Sequence, residues 1–191
     1  MPNTEGEHYS GNSSYKYINQ LILNGDKELM IVSPYISNHY TKTLLKVCGR
    51  KRIRIITSEI SLGYRGSMLK NLDSKGLGGY INAVLYFTAL DAIVAYLKFY
   101  YIVGITTVLL LISLLLAMRR RGKISRNIKL KTTGKEFVHE KLYITDSVAI
   151  IGSANLTYSG THKNIEHIEI IKDRDEIARL KSHFDSLWHR Y

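Results

Sequence analysis

His139 and Lys141 stand two positions apart, and of the seven histidines in the chain only His139 has a lysine at that spacing. In an extended segment residues two apart project to one face, so an imidazole and an ammonium would lie side by side. That pairing suits a phosphate: the ring offers a nitrogen nucleophile and the neighbouring cation attracts anionic oxygens. Downstream follow Asp146, the small polar run Gly152-Ser153-Ala154-Asn155, and Glu166.

The elements that must position these residues read as alternating strands and helices. Tyr15 to Leu23 reads as a short amphipathic helix behind a loose polar tail of residues 1 to 14, which lacks the charge and hydropathy order of a secretory signal. Glu28 to Ser33 is a buried strand ending at Pro34, Asn38 to Cys48 a helix closed by Gly49, and Arg52 to Thr57 a second strand. Strand, helix and strand with short links argue for a parallel α/β unit. The pattern resumes with a strand at Ile128 to Thr132, then strands at Phe137 to Ile144 and Val148 to Gly152 turning at Asp146-Ser147, and a strand at Ile165 to Ile171. A terminal amphipathic helix covers Asp173 to His189, with Asp173 and Asp175 at its positive end.

Between these halves lies an apolar block, Ile81 to Met118, whose only charges are Asp91 and Lys98. About 20 residues span a bilayer core, so the block is long enough for two crossings, at Gly79 to Leu97 and Tyr101 to Met118. Aromatic rings at Tyr96, Phe99, Tyr100 and Tyr101 suit the far interface. Residues 1–80 carry 11 basic and 6 acidic side chains and residues 119–191 carry 15 and 9. Two positive flanks belong on the cytoplasmic side, which a hairpin permits and a single crossing does not. Two alternatives stay open, a buried soluble hairpin and one crossing at Phe99 to Met118. Asp91 at bilayer depth costs on the order of 3 kcal/mol unless protonated or paired. The expected division is 1–78, 79–118 and 119–191, a multi-pass membrane protein with its chemistry in the cytoplasm.

Composition narrows the function classes. The 191-residue chain, 45% hydrophobic, is long enough for one core. Its 27 basic and 16 acidic side chains give a net charge of +11, which predicts a phosphate-rich partner, either nucleic acid or an anionic membrane surface. Cys48 is the single cysteine, which excludes an intrachain disulfide and a thiolate zinc site. No dense carboxylate cluster stands out, so neither metal nor cofactor is expected.

His139-x-Lys141-x4-Asp146, then Gly152-Ser153-x-Asn155 and Glu166, resembles the phospholipase D superfamily, whose motif is H-x-K-x4-D followed by G-S-x-N. The resemblance covers Ile128 to Tyr191 closely and residues 28 to 57 more loosely. One spacing departs: five residues separate Asp146 from Gly152 where six is usual. The resemblance implies an α-β-α sandwich, a mixed sheet flanked by helices, here interrupted by the inserted transmembrane hairpin. It also implies a phosphodiesterase in which His139 attacks phosphorus, Lys141 and Asn155 hold the non-bridging oxygens, and Ser153 adds a hydroxyl. Glu166 fits the family's acidic residue and would orient an imidazole. Asp146 and Ser153 are supporting residues; Asp146 reads equally as a turn cap, and Asn155 as a helix cap.

The leaving group needs a proton from the side opposite the attacking imidazole, so a second histidine is required. Relatives with one motif supply it from a second copy, which implies a homodimer with one shared site. Three functions remain in view: a membrane-anchored phosphodiesterase cleaving or transferring phospholipid head groups, a non-specific nuclease, and a silent membrane protein. His162 and His167 read as ordinary surface residues, and no aromatic-rich stretch near the motif suggests base stacking.

Overall fold

The computed structural model describes residues 6–24, 26–60, 85–89, 92, 100–134 and 136–191. The chain divides into two compact units, Met1–Asp73 with Ile124–Tyr191, and Ser74–Lys123. The first unit carries β1 (Glu7–Gly11), α1 (Tyr15–Asn24), β2 (Glu28–Val32), β3 (Tyr35–Ile36), α2 (Asn38–Val47), β4 (Arg52–Thr57) and β5 (Glu59–Ile60). The long helix α3 (Tyr100–Asn127) begins in the second unit, and β6 (Ile128–Thr132), β7 (Leu142–Ile144) and β8 (Ala149–Gly152) follow it. The chain closes with α4 (Tyr158–His162), β9 (Glu166–Ile171) and α5 (Arg174–Arg190).

Seven strands form one mixed sheet in the order β1-β9-β8-β7-β2-β4-β6. β2, β4 and β6 run parallel, which the intervening helix α2 permits for the first pair. β7, β8, β9 and β1 continue antiparallel. Strand β2, Glu-Leu-Met-Ile-Val, is apolar without alternation because both its faces are covered. Leu29 and Ile31 point into a core shared with Ile18, Ile22, Tyr40 and Leu44 of α1 and α2. Met30 and Val32 point the other way, to Ile177 and Phe184 of α5. Helix α5 starts at Asp173, whose carboxylate accepts from the Glu176 backbone at 2.9 Å.

Several expectations need correction. The polar tail holds β1, which adds to β9 with Glu7 opposite Ile170 and Gly11 opposite Glu166. The strand expected at Phe137 to Ile144 shrinks to Leu142–Ile144. The second apolar helix does not stop at Met118 but continues through the basic run to Asn127. Among the described residues no helix is long and apolar enough to cross a membrane. The apolar part of α3 whose side chains are described runs from Tyr101 to Leu116, about 24 Å at 1.5 Å per residue. Most of the other expected hairpin arm, with Asp91, Lys98 and the turn around them, lies outside the described residues. Along α3, Ile105, Val108, Leu109, Leu111, Ile112 and Leu115 are exposed.

Phe184 tests how the sheet is covered by α5, since it is fully buried and has the Arg54 guanidinium 5.1 Å from its ring centroid. Phe184→Ala is expected to cost about 4 kcal/mol in urea unfolding. A loss under about 1 kcal/mol would contradict this packing.

Candidate active site

The strands of the sheet bring the chemically interesting residues to one edge. Val32 of β2 pairs with Leu142 of β7, Leu142 with Ile151 of β8, and Gly152 with Ile168 of β9. The residues one step beyond these pairs therefore share a rim: Ser33, Lys141, Ser153, and Glu166 with His167. Gly11 of β1, opposite Glu166, extends the rim to the start of α1.

Residues 137–141, which lie outside the named strands, still project alternately. Glu136 meets Arg190 at 3.0 Å, Glu140 meets His183 at 3.0 Å, and Val138 is buried in the core beneath α5. The odd residues face the other way. Phe137 packs on Tyr35 with centroids 5.7 Å apart and on His139 at 6.1 Å, and Lys141 turns back to His139. The two-residue spacing thus places imidazole and ammonium together, in a segment held extended by α5 on one side and by bonds from Gly152 N to the Lys141 carbonyl at 3.3 Å and from Val138 N to Ser58 Oγ at 2.9 Å.

The His139 ring is exposed, whereas Lys141 is only 6% exposed. Lys141 Nζ donates to the His139 carbonyl at 2.5 Å and lies 3.2 and 3.3 Å from the two ring nitrogens. A point equidistant from both nitrogens is off either lone-pair axis, so the firm bond is to the carbonyl and the ring nitrogens keep their own capacity. Burial lowers the Lys141 pKa, and the Glu166 carboxylate opposes that shift.

Glu166 is 8% exposed and is fixed at both oxygens. Its Oε2 accepts from Ser153 Oγ at 2.5 Å and its Oε1 from Asn164 Nδ2 at 3.2 Å. Ser153 Oγ in turn accepts from the His167 backbone at 3.0 Å, and Ser153 N donates to the His167 carbonyl at 2.9 Å. This close strand approach explains Gly152: a Cβ there would lie 2.1 Å from the His167 carbonyl oxygen.

Asn155 stands where the chain leaves the rim. Its backbone carbonyl accepts from Thr157 N at 2.7 Å, while its side-chain Oδ1 is buried with no hydrogen-bond partner among the described residues. A buried amide oxygen left without a partner is costly. A half-turn of the amide presents its NH2 instead.

The structure thus brings His139, Lys141, Ser153 and Glu166 to one rim, with Asn155 leaving it. It separates Asp146 from them at the far end of β7, where its carboxylate meets Lys181 of α5 at 2.5 Å. Asp146 therefore secures the β7–β8 turn to the terminal helix. Within one chain Glu166 bonds to Ser153 and Asn164 rather than to His139, and Asn164 anchors its second oxygen. His162 is no ordinary surface residue: it lies between Tyr15 at 4.3 Å and Tyr158 at 4.4 Å. The sequence signal for that stack was absent because its members come from segments over 140 positions apart. Among the described residues no group of three or more His, Cys, Asp or Glu could hold a metal.

Removing the charge of Glu166 leaves desolvation of Lys141 unopposed, so Glu166→Gln is expected to lower the Lys141 pKa further. Titration of the Lys141 side chain by NMR checks this; an unchanged midpoint would mean the two charges do not interact.

Comparison with known proteins agrees with the fold. The NucT structure from Helicobacter pylori superposes with a TM-score of 0.56 at 14% identity, covering 96% of this chain and 95% of that one. Nuc from Salmonella typhimurium, a phospholipase D family member, gives 0.57 at 14% identity, covering 97% and 95%. Phosphatidylserine synthase of Haemophilus influenzae gives 0.50 at 16% identity, with 94% of this chain on 37% of that one. Curated proteins return no match. The family model described as "Cardiolipin synthase, PLD-like domain" matches residues 18–188, nearly the whole chain, and the protein therefore belongs to the PLD-like domain family.

Proposed function

We propose that the protein is a phosphodiesterase of the phospholipase D type, working through a phosphohistidine at His139 in a site shared by two copies. The observation that carries this reading is the exposed His139 imidazole set against the buried Lys141 ammonium, with Ser153 and Asn155 alongside. His139 attacks phosphorus and displaces the first alkoxide; water or an alcohol then attacks the phosphohistidine and frees the ring. Lys141 and the Asn155 amide hold the non-bridging oxygens, where negative charge grows, and a low local dielectric strengthens that contact. Glu166, Ser153 and Asn164 keep this side of the site rigid. The leaving oxygen takes its proton from the His139 of a second copy, which exposure of the ring allows.

Two substrate classes fit a phosphodiester site. A phospholipid, hydrolysed or transferred to an alcohol, is supported by the uncharged run Tyr100 to Met118 and its exposed side chains, which on this reading form part of a membrane hairpin spanning 79–118. The basic flanks then lie on the cytoplasmic side with the site, and the eight basic residues between Arg119 and Lys135 grip anionic head groups. Nucleic acid is supported by the +11 charge and by the aromatic cluster beside Asn155.

Wild type and His139→Ala, purified as full chains in detergent micelles, are to be compared on bis(p-nitrophenyl) phosphate, labelled phosphatidylglycerol and single-stranded DNA with chelator present. Turnover that chelator spares and that falls at least about a thousand-fold in His139→Ala supports the mechanism. Full activity at a light-scattering mass of one protomer would remove the shared site. Loss of activity on adding chelator would contradict the reaction as drawn.

A further inference from the structure

We propose that the ring of Tyr158 is a seat for a nucleobase, so that the phosphodiester taken by this site belongs to a single-stranded polynucleotide; the inference rests on the phosphodiesterase reading and names its substrate class. Four rings from three separate segments meet beside the rim. The His162 imidazole lies between Tyr15, 4.3 Å and 10° from parallel, and Tyr158, 4.4 Å and 15° from parallel. His39, from the start of α2, meets both His162 and Tyr158 edge-on at 5.7 and 5.6 Å. Offset near-parallel rings are the geometry in which one more planar ring adds favourably, and Tyr158 at the end of the stack is 47% exposed.

The stack is held in place without a ligand. Thr161 Oγ1 lies 2.7 Å from His162 Nδ1 and accepts from the buried Tyr40 hydroxyl at 2.9 Å. Thr157 Oγ1 caps α4 by accepting from Gly160 N at 3.0 Å. Gly160 comes so near Asn155 that a Cβ on it would stand 2.8 Å from the Asn155 carbonyl oxygen. Gly160 thus fixes α4, which carries Tyr158, against the backbone at Asn155.

Charge distinguishes the occupants. Lys163 Nζ lies 5.9 Å from the Tyr158 centroid and opposes a quaternary ammonium head group while favouring a ring that carries its own phosphate. Burial and the nearby His39 lower the His162 pKa, which favours the neutral imidazole between the two tyrosines. Every base offers a π-face, so the seat holds the strand without reading its sequence.

The test measures binding of oligothymidylate and of an abasic oligonucleotide of equal length and charge to the full chain in detergent, in the His139→Ala background so that nothing is cleaved. The base-bearing strand is expected to bind about ten-fold more tightly than the abasic one. Tyr158→Leu should erase that preference and Tyr158→Phe should keep it. Equal binding of the two strands to the parent, or a preference that survives in Tyr158→Leu, would overturn the seat. If Tyr158→Leu instead weakens binding to phosphatidylglycerol vesicles and leaves the oligonucleotide preference intact, the ring faces lipid and the proposal fails. Hydrolysis of bis(p-nitrophenyl) phosphate by the wild-type chain is read separately. Its absence with the base preference intact would sink the phosphodiesterase reading and not the seat.

Discussion

The arrangement depends on keeping the Lys141 ammonium charged while burying it. An isolated buried charge is costly and a lysine so placed tends to lose its proton. Here the His139 carbonyl takes a direct hydrogen bond and the Glu166 carboxylate supplies the opposing field. Glu166 is held at both oxygens, since Ser153 and Asn164 each donate to it. Ser153 can reach it because the backbone at Gly152 approaches His167 more closely than any side chain would permit. One charge thus fixes the identities of four other residues, and each is in the sequence for a different physical reason.

The fold contributes a rim and a clamp. Antiparallel pairing of β7, β8 and β9 sets Lys141, Ser153 and Glu166 at the same end of the sheet by register alone. The clamp is α5, which takes Glu136, Val138 and Glu140 on one side of an extended segment and leaves Phe137, His139 and Lys141 to the other. Asp146, though part of the motif, serves this clamp at its far end through Lys181. The motif is therefore one site plus one tie, and its spacing records both.

Much of this was legible in the residues. The apolar runs of β2, β4, β6 and β9 and the cap and stripe of α5 gave their elements nearly to the residue, and the two-residue spacing gave the His139–Lys141 contact. What escaped has common causes. The β1 segment, Glu-His-Tyr-Ser-Gly, has no apolar pattern because it is an edge strand, with backbone pairing to β9 doing the ordering. Residues 137–141 look like a strand because they alternate, but the alternation answers to a helix. The basic residues after Met118 resemble a helix stop, yet without proline the helix has no reason to end, and it continues to Asn127. The Tyr15–His162–Tyr158 stack has no local signature at all; only the register of β1 against β9, with α1 following, brings Tyr15 to α4.

The central claim is that the phosphoryl group passes through the imidazole of His139, and trapping that adduct tests it most directly. Protein mixed with bis(p-nitrophenyl) phosphate, quenched within the first turnover into alkali and mapped by peptide mass spectrometry, should carry the substrate's retained phosphoryl half on His139. Turnover with the adduct on another side chain, or with none formed while product accumulates, would contradict the account.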